Sequence, residues 1–396
     1  MPDKFHSKMP RSLISTIIVL CALQSAVIAI IPDVPHAKTA HHNLHRLEWD
    51  IFNRTVHKYR EMNINIEVFY HASMYRKYWK DIILEQLDLL DGWQHVRNGS
   101  HGPFSRTKAK TPANIMSVAN KVNILLHGNM EQVETMKNAI LGADVSYKNK
   151  MSLSSSPTID RGQFGGAKEA DKSKIREEAL KNNQTAGEYQ SITNLFNYCK
   201  KEVSEGRNSV AVYFHTKGAH ELKGGGAVAD WRDEMNAFVI EFPSICMRAL
   251  TEGYSACGPN YQDGHFSGNF WWASCNHVAK LKGLWDPINN AWDAEFFVLN
   301  VPNANEFSLS CAYRPFACQI NNYNYLCPRT EYSSVIFYLI RYDDPYIQND
   351  PLPTLGFNGQ LGKPTEPKNP KIWNKRPCLS AKSNMTDVVM AELYHS

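Results

Sequence analysis

Two short segments concentrate the side chains able to do chemistry: Tyr213-Phe214-His215-Thr216-Lys217-Gly218, and about fifty residues later His265-Phe266-Ser267-Gly268-Asn269-Phe270-Trp271-Trp272-Ala273. Lys217 carries a positive charge that neutralises a phosphate, and Gly224-Gly225-Gly226 offers backbone N–H groups to one, although a glycine run equally suits a flexible loop. Arg232 has the bidentate fork that clamps a diphosphate, or it pairs with Asp230 or Glu234 on the exposed start of its helix. In the second segment Gly268 permits close backbone approach, and His265 and Asn269 supply donors and acceptors. Trp271 and Trp272 have flat apolar faces of the kind that stack on sugars or bases; one is expected to do so and the other to be buried. Asp293-Ala294-Glu295 is the only Asp-x-Asp/Glu in the chain. Either carboxylate serves as a general base, or both as hard ligands for Mn or Mg. On a strand the two would point the same way, which disfavours a hydrolase needing carboxyls on either side of a glycosidic bond.

Ordered elements must carry these segments. Ile64, Ile66, Val68 and Tyr70 alternate with Asn65, Glu67 and Phe69, as in a strand with one face on a core. Trp79, Ile83, Leu87 and Leu90 recur at helical spacing, with Gly92 as the stop. A second apolar stretch, 122–126, ends at His127-Gly128-Asn129 and precedes a helix over 131–141. Strand, helix, strand, helix is the pattern of a parallel α/β sheet. Residues 144–187, rich in serine, glycine and charge, read as a mobile surface insertion. A helix with Ile192, Leu195, Phe196 and Cys199 then leads into a buried strand over 210–214. His215, Lys217 and Gly218 therefore sit where a strand ends, the edge at which open α/β sheets bind ligands. Trp231, Met235, Phe238, Phe242, Cys246 and Leu250 follow as the core stripe of an amphipathic helix bent at Pro243.

At the N-terminus Lys4, Lys8 and Arg11 precede nineteen uncharged residues, 13–31. As a helix these span about 28 Å, enough to cross a membrane with the N-terminus cytoplasmic and the remainder luminal. A cleaved signal peptide is the competing reading, against which stand the length of the run and the absence of a clean cleavage site. Residues 32–60, with His36, His41, His42 and His45, read as a solvated stem rather than a metal-binding tract. The sequons at Asn53, Asn98, Asn183 and Asn384 agree with a secretory location. So do the eight cysteines outside the anchor, which favour disulfides over zinc because no C-x2-C occurs. The net charge of +4 falls to +2 without residues 1–31, which carry Lys4, Lys8 and Arg11 against Asp3, so no basic nucleic-acid surface is implied. A globular body is expected over 61–345. The Cys311 to Cys327 region reads as a disulfide-pinned loop and 335–340 as a strand, before a proline-rich tail over 346–396.

Glu188-Tyr189, residues 213–218, Trp231-Arg232, Gly253-Tyr254 with Gly258 and Asn260, residues 265–273 and Glu295 together resemble a poorly characterised group of glycosyltransferase-like proteins. More distantly the set is similar to rhamnan-synthesis protein F. The resemblance covers roughly residues 62–300. It implies a GT-A-type α/β fold, a Rossmann-like mixed sheet flanked by helices, with a nucleotide-binding half joined to an acceptor-binding half. It further implies a Golgi or ER type II membrane enzyme that moves a sugar from a nucleotide diphosphate sugar to a hydroxyl of a glycan or glycoprotein. In that frame His215, Lys217, Gly218, Arg232 and Asp230 hold the diphosphate. His265, Ser267, Gly268, Asn269, Trp271 and Trp272 line the cleft for donor sugar and acceptor, and Glu295, or failing it Asp293, is the base. The chain departs from the pattern in lacking Asp-x-Asp, the usual seat of Mn or Mg; Lys217 stands in the comparable place. An inactive lectin-like or scaffold protein of the same fold is the alternative.

Overall fold

The computed structural model describes residues 35–74, 78–97, 104–142, 146, 148–156, 173–174, 177–178, 181–182, 187–217, 227–259, 261–262, 265–266, 268–284, 291–301 and 306–308. The chain divides into two compact units, residues 1–44 and 45–396. Of the first, only the helical backbone of residues 35–44 is described. The expected membrane segment, 13–31, lies outside the described residues, as do the cysteines beyond residue 308, the strand over 335–340 and the proline-rich tail. Among the described residues no helix is long and apolar enough to cross a membrane.

Among the described residues the second unit is built on a mixed sheet of seven strands. These are β1 (Ile64–Ser73), β4 (Lys121–His127), β5 (Met151–Ser156), β6 (Asn208–His215), β7 (Ala256–Gly258), β10 (Trp271–Ser274) and β11 (Glu306–Ser308). Their order is β11-β7-β10-β6-β1-β4-β5. β5, β4, β1 and β6 are mutually parallel, while β10 runs antiparallel to both β6 and β7. From β1 the chain winds outward through β4 to β5 and then returns to place β6 on the other side of β1. The winding thus reverses between β1 and β6, and at such a point an open α/β sheet leaves a crevice at its carboxyl edge. In register, His71 lies opposite His215 and Ser73 opposite His127, so these residues line that edge.

β1 is central, and its burial departs from the one-sided strand expected from alternation: Val68, Phe69, Tyr70, His71 and Ala72 are all buried. A strand covered by helices on both faces needs no polar alternation. The expected 144–187 insertion is corrected at its start, because Met151–Ser156 pairs along β4 as the sheet edge. An edge strand with one side open to water tolerates a serine-rich sequence that hides its strand character. A hairpin of β2 (Trp93–Arg97) and β3 (Phe104–Lys110), which no sequence pattern announced, precedes α3 (Ile115–Val118) and β4, and a short antiparallel pair, β8 (Tyr261–Gln262) and β9 (His265–Phe266), lies between β7 and β10 in the chain.

The helices α2 (Trp79–Leu90), α4 (Met130–Gly142) and α5 (Tyr189–Ser204) fall where their periodicity placed them. Helix α2 buries Ile82, Ile83, Leu87, Leu89 and Leu90, each worth roughly 2 kcal/mol on leaving water. The expected amphipathic helix after residue 230 is interrupted: α6 (Ala227–Asn236) continues as a π-helical turn over Ala237–Glu241 and then as α7 (Pro243–Thr251), with the bend at Pro243 as expected. The stem reading is also corrected. Residues 35–61 form α1 (Pro35–Glu61), whose C-terminal part buries Glu48, Ile51, Phe52, Thr55, Val56 and Tyr59 at helical spacing. Glu48 accepts hydrogen bonds from Ser244 N at 2.9 Å and Ser244 Oγ at 2.5 Å, and Tyr59 donates to the Met247 carbonyl at 3.0 Å, joining α1 to α7.

Two disulfides pin the sheet's far half. Cys199 of α5 bonds Cys275 of α8 (Cys275–Val278), and Cys246 of α7 bonds Cys257 of β7. Disulfides were the expected use of cysteine; the pairing itself was not legible, because it depends on which helix covers which strand.

Candidate functional site

The carboxyl ends of β1 and β6 bring the first chemistry-bearing segment to the crevice. Thr216 locks the two strand ends together. Its hydroxyl donates to the Ser73 carbonyl at 3.0 Å and accepts from Ser73 N at 2.8 Å, while Thr216 N donates to the His71 carbonyl at 3.1 Å. One residue on, the Lys217 ammonium lies 4.3 Å from the centre of the Trp231 ring and 3.8 Å from Glu295 Oε1. Contact with an aromatic face holds an ammonium in place without neutralising it.

Arg232 is reassigned by the structure. The expected exposed helix start is buried there, with Arg232 only 6% exposed. Its Nη1 donates to the Lys217 carbonyl at 3.0 Å, so the guanidinium fixes the backbone of the lysine. Trp231 Nε1, Arg232 Nε and Asn236 Nδ2, all on α6, are buried N–H groups without a hydrogen-bond partner among the described residues. A buried donor left unpaired costs about 1–3 kcal/mol, so three on one helix mark a place where an acceptor is wanted.

The second segment meets the first through Glu188, which precedes α5. Glu188 Oε2 accepts from Tyr213 Oη at 2.9 Å and from Asn269 Nδ2 at 2.5 Å. Asn269 Oδ1 in turn accepts from Trp271 Nε1 at 2.7 Å, which fixes the amide's orientation. The His215 Nε2–H donates to the Gly268 carbonyl at 2.8 Å, and its Nδ1 lies 3.8 Å from Glu188 Oε1. Burial drives the His215 pKa below the usual imidazole range, with Glu188 opposing and Lys217 reinforcing the fall. The turn depends on left-handed backbone at Gly268 (φ 94°) and Asn269 (φ 58°), a conformation glycine and asparagine tolerate best. Gly268 is further constrained, because a Cβ there would overlap Met235 Sδ.

The tryptophans of this segment are both wholly buried at 0% exposure, which corrects the expectation that one stacks on a ligand. Trp271 packs beside Tyr213 with ring centres 5.2 Å apart, and Trp272 Nε1 donates to the Val239 carbonyl at 2.9 Å. Trp272 thus satisfies a carbonyl of the π-helical turn. Their alternating sides of β10 place them in the two layers that cover the sheet.

Glu295 lies on α9 (Ala291–Phe296), so the expected strand is a helix. Residues two apart on a helix do not share a face, as they would on a strand. Glu295 Oε2 lies 3.9 Å from His265 Nε2, and the His265 ring packs on Phe296 with centres 4.4 Å apart. The site so assembled contains Glu188, His215, Lys217, Trp231, Arg232, His265, Gly268, Asn269 and Glu295. Gly218 and Ser267 lie outside the described residues, and of Asp230 and Asp293 only the helical backbone is described. Among the described residues no group of three or more His, Cys, Asp or Glu side chains could hold a metal ion. Among the described residues Glu295 meets a lysine and a histidine.

Of the expected glycosylation sites, Asn98, Asn183 and Asn384 lie outside the described residues. Asn53 is half-buried within α1, where the hydroxyl of the sequon's Thr55 is buried and donates to the Ile51 carbonyl at 2.8 Å.

Glu188 and Trp231 are the site residues to which sequence reasoning gave no chemical role: Trp231 read as core, and Glu188 only as part of the resembling set. Glu188 stands 81 positions from Asn269 and carries no spacing signal, since a shared sheet alone brings them together. Residues 114–287, under half the chain, match the model of a domain of unknown function, DUF8361. The match includes His215, Lys217, Arg232 and the 265–273 segment and leaves Glu295 outside. No curated protein and no solved structure matches the chain.

Proposed function

We propose that the chain is a glycosyltransferase of GT-A type that moves a sugar from a nucleotide diphosphate sugar to a hydroxyl of a glycan or glycoprotein. The carrying observation is the Lys217 ammonium together with the N–H groups of Trp231 and Arg232, unpartnered among the described residues, at the carboxyl edge where the winding reverses. A cation beside unsatisfied donors in a crevice of this kind suits a diphosphate. The division of the sheet into a doubly wound half and a half containing the reversed β10 agrees with separate nucleotide and acceptor halves.

In this reading the diphosphate takes Lys217 from Glu295 as its own counter-ion. Glu295 is then free to accept the acceptor's proton as the acceptor oxygen bonds to the anomeric carbon. The bond from that carbon to the diphosphate oxygen breaks, and the leaving nucleoside diphosphate carries its electrons away against Lys217 and the α6 donors. Lysine thereby supplies the charge compensation for which many such enzymes use a metal. The cysteine usage and sequons favour luminal action in the Golgi or ER, anchored through residues 13–31.

Donor hydrolysis by the purified full-length chain against a panel of nucleotide sugars, with and without chelator, tests the proposal. One donor should turn over, and Glu295→Gln should lower kcat by roughly 10²–10⁴ while leaving KM nearly unchanged. Binding without turnover would make the chain an inactive lectin-like or scaffold protein of this fold, and no binding of any donor would remove the assignment.

A further inference from the structure

We propose that Glu188 and His215 form a proton-holding pair that takes up one proton when a diphosphate-bearing ligand settles beside Lys217. The inference rests on the diphosphate reading above and deepens it. His215 is buried, and its ring is held at one end because Nε2–H donates to the Gly268 carbonyl at 2.8 Å. That bond fixes the neutral tautomer, since a carbonyl only accepts, and leaves Nδ1 as the site for a second proton. Nδ1 faces Glu188 Oε1 at 3.8 Å, while the other oxygen of that carboxylate is occupied by Tyr213 and Asn269. A proton arriving on Nδ1 therefore meets a carboxylate already fixed in place, and the loose 3.8 Å approach tightens into a charge-assisted hydrogen bond.

The charged groups facing His215 are Glu188 before α5, Lys217 just beyond β6 and Glu295 on α9. Burial and Lys217 disfavour the imidazolium, and the two glutamates favour it. An anion seated beside Lys217 cancels the lysine's repulsion and adds its own attraction, and both changes favour protonation of His215. The proton comes from solvent and resides on Nδ1. The ligand's charge is then balanced partly by Lys217 and partly by an imidazolium that Glu188 stabilises. The same proton makes His215 a stronger donor to the Gly268 carbonyl, so ligand binding tightens the contact that holds the turn at Gly268 and Asn269.

Isothermal titration of the full-length chain with UDP, GDP and CDP in turn, in two buffers of different ionisation enthalpy, reads the proton directly. At about pH 8 a diphosphate is fully ionised, so any uptake belongs to the protein. The wild type should take up a proton on binding nucleotide, and its Kd should rise with pH in proportion to the protons taken up, at most tenfold per pH unit, until His215 no longer holds the proton in the complex. Glu188→Gln, which keeps the side chain's size, should at least halve the uptake, and His215→Asn should abolish it. Binding with the same heat in both buffers would overturn the inference and leave the diphosphate reading standing. Uptake that persists in His215→Asn would overturn it likewise. Absence of binding by all three nucleotides would overturn both.

Discussion

Gly268→Ala tests the geometry of the site through stability. The residue adopts φ 94°, and a methyl there overlaps the thioether of Met235, itself fully buried, and approaches Trp231 Cζ2 at 3.2 Å. Left-handed backbone costs an alanine about 1–2 kcal/mol, and forcing a side chain into a filled core costs about 1–3 kcal/mol more. Urea unfolding of Gly268→Ala should thus show a loss of roughly 2–5 kcal/mol. The two components separate in a double-mutant cycle. Met235→Ala alone leaves a cavity worth about 2–5 kcal/mol, but in the double variant the alanine methyl points into that cavity. The double variant should therefore fall short of additivity by about 1–3 kcal/mol, with the backbone component remaining. A loss below about 1 kcal/mol for Gly268→Ala, or strict additivity in the cycle, would show that Gly268 does not pack on Met235 in this way.

The docking of α1 onto α7 carries its own pH dependence. Burial raises the Glu48 pKa to about 8, against hydrogen bonds from Ser244 and the charge of Arg248 that lower it. The folded state therefore keeps a proton that the unfolded chain releases near its ordinary value, and stability present at about pH 4 is lost as pH rises through about 8. Urea midpoints should fall between about pH 5 and pH 9 in the wild type, and Glu48→Gln should flatten most of that slope; an unchanged slope refutes the assignment. The Cys199–Cys275 bond closes a separation of 76 residues, worth about 4 kcal/mol by loop entropy. Replacing both cysteines with serine should lower thermal stability accordingly, and no change in Tm would mean the pair is not bonded. Trp272→Phe keeps the ring packing but removes the N–H that satisfies the Val239 carbonyl, and should cost about 1–3 kcal/mol by urea unfolding. A change under about 0.5 kcal/mol would show that water or another donor replaces it.

Local pattern by itself determined the α/β class, because period-2 and period-3.6 hydrophobicity are properties of contiguous residues. On that basis β4, β6, α4 and α5 were legible, and so was the position of His215 and Lys217 at a strand's end. The sequence also showed that its cysteines were suited to disulfides. It misread α1, whose buried face alternates Glu48 and Thr55 with apolar residues, since a carboxyl group counts as core only once Ser244 is known to cap it. It misread β5 because an edge strand lacks the apolar run of a central one. Only the tertiary structure decided that Trp271 and Trp272 are both core, since a side chain's exposure depends on what packs over each face of β10. It alone joined Glu188 to Asn269 and Glu295 to Lys217, contacts across 81 and 78 positions that no spacing rule encodes. The parts of the site are local, but the order in which the sheet threads its strands sets the distances between them.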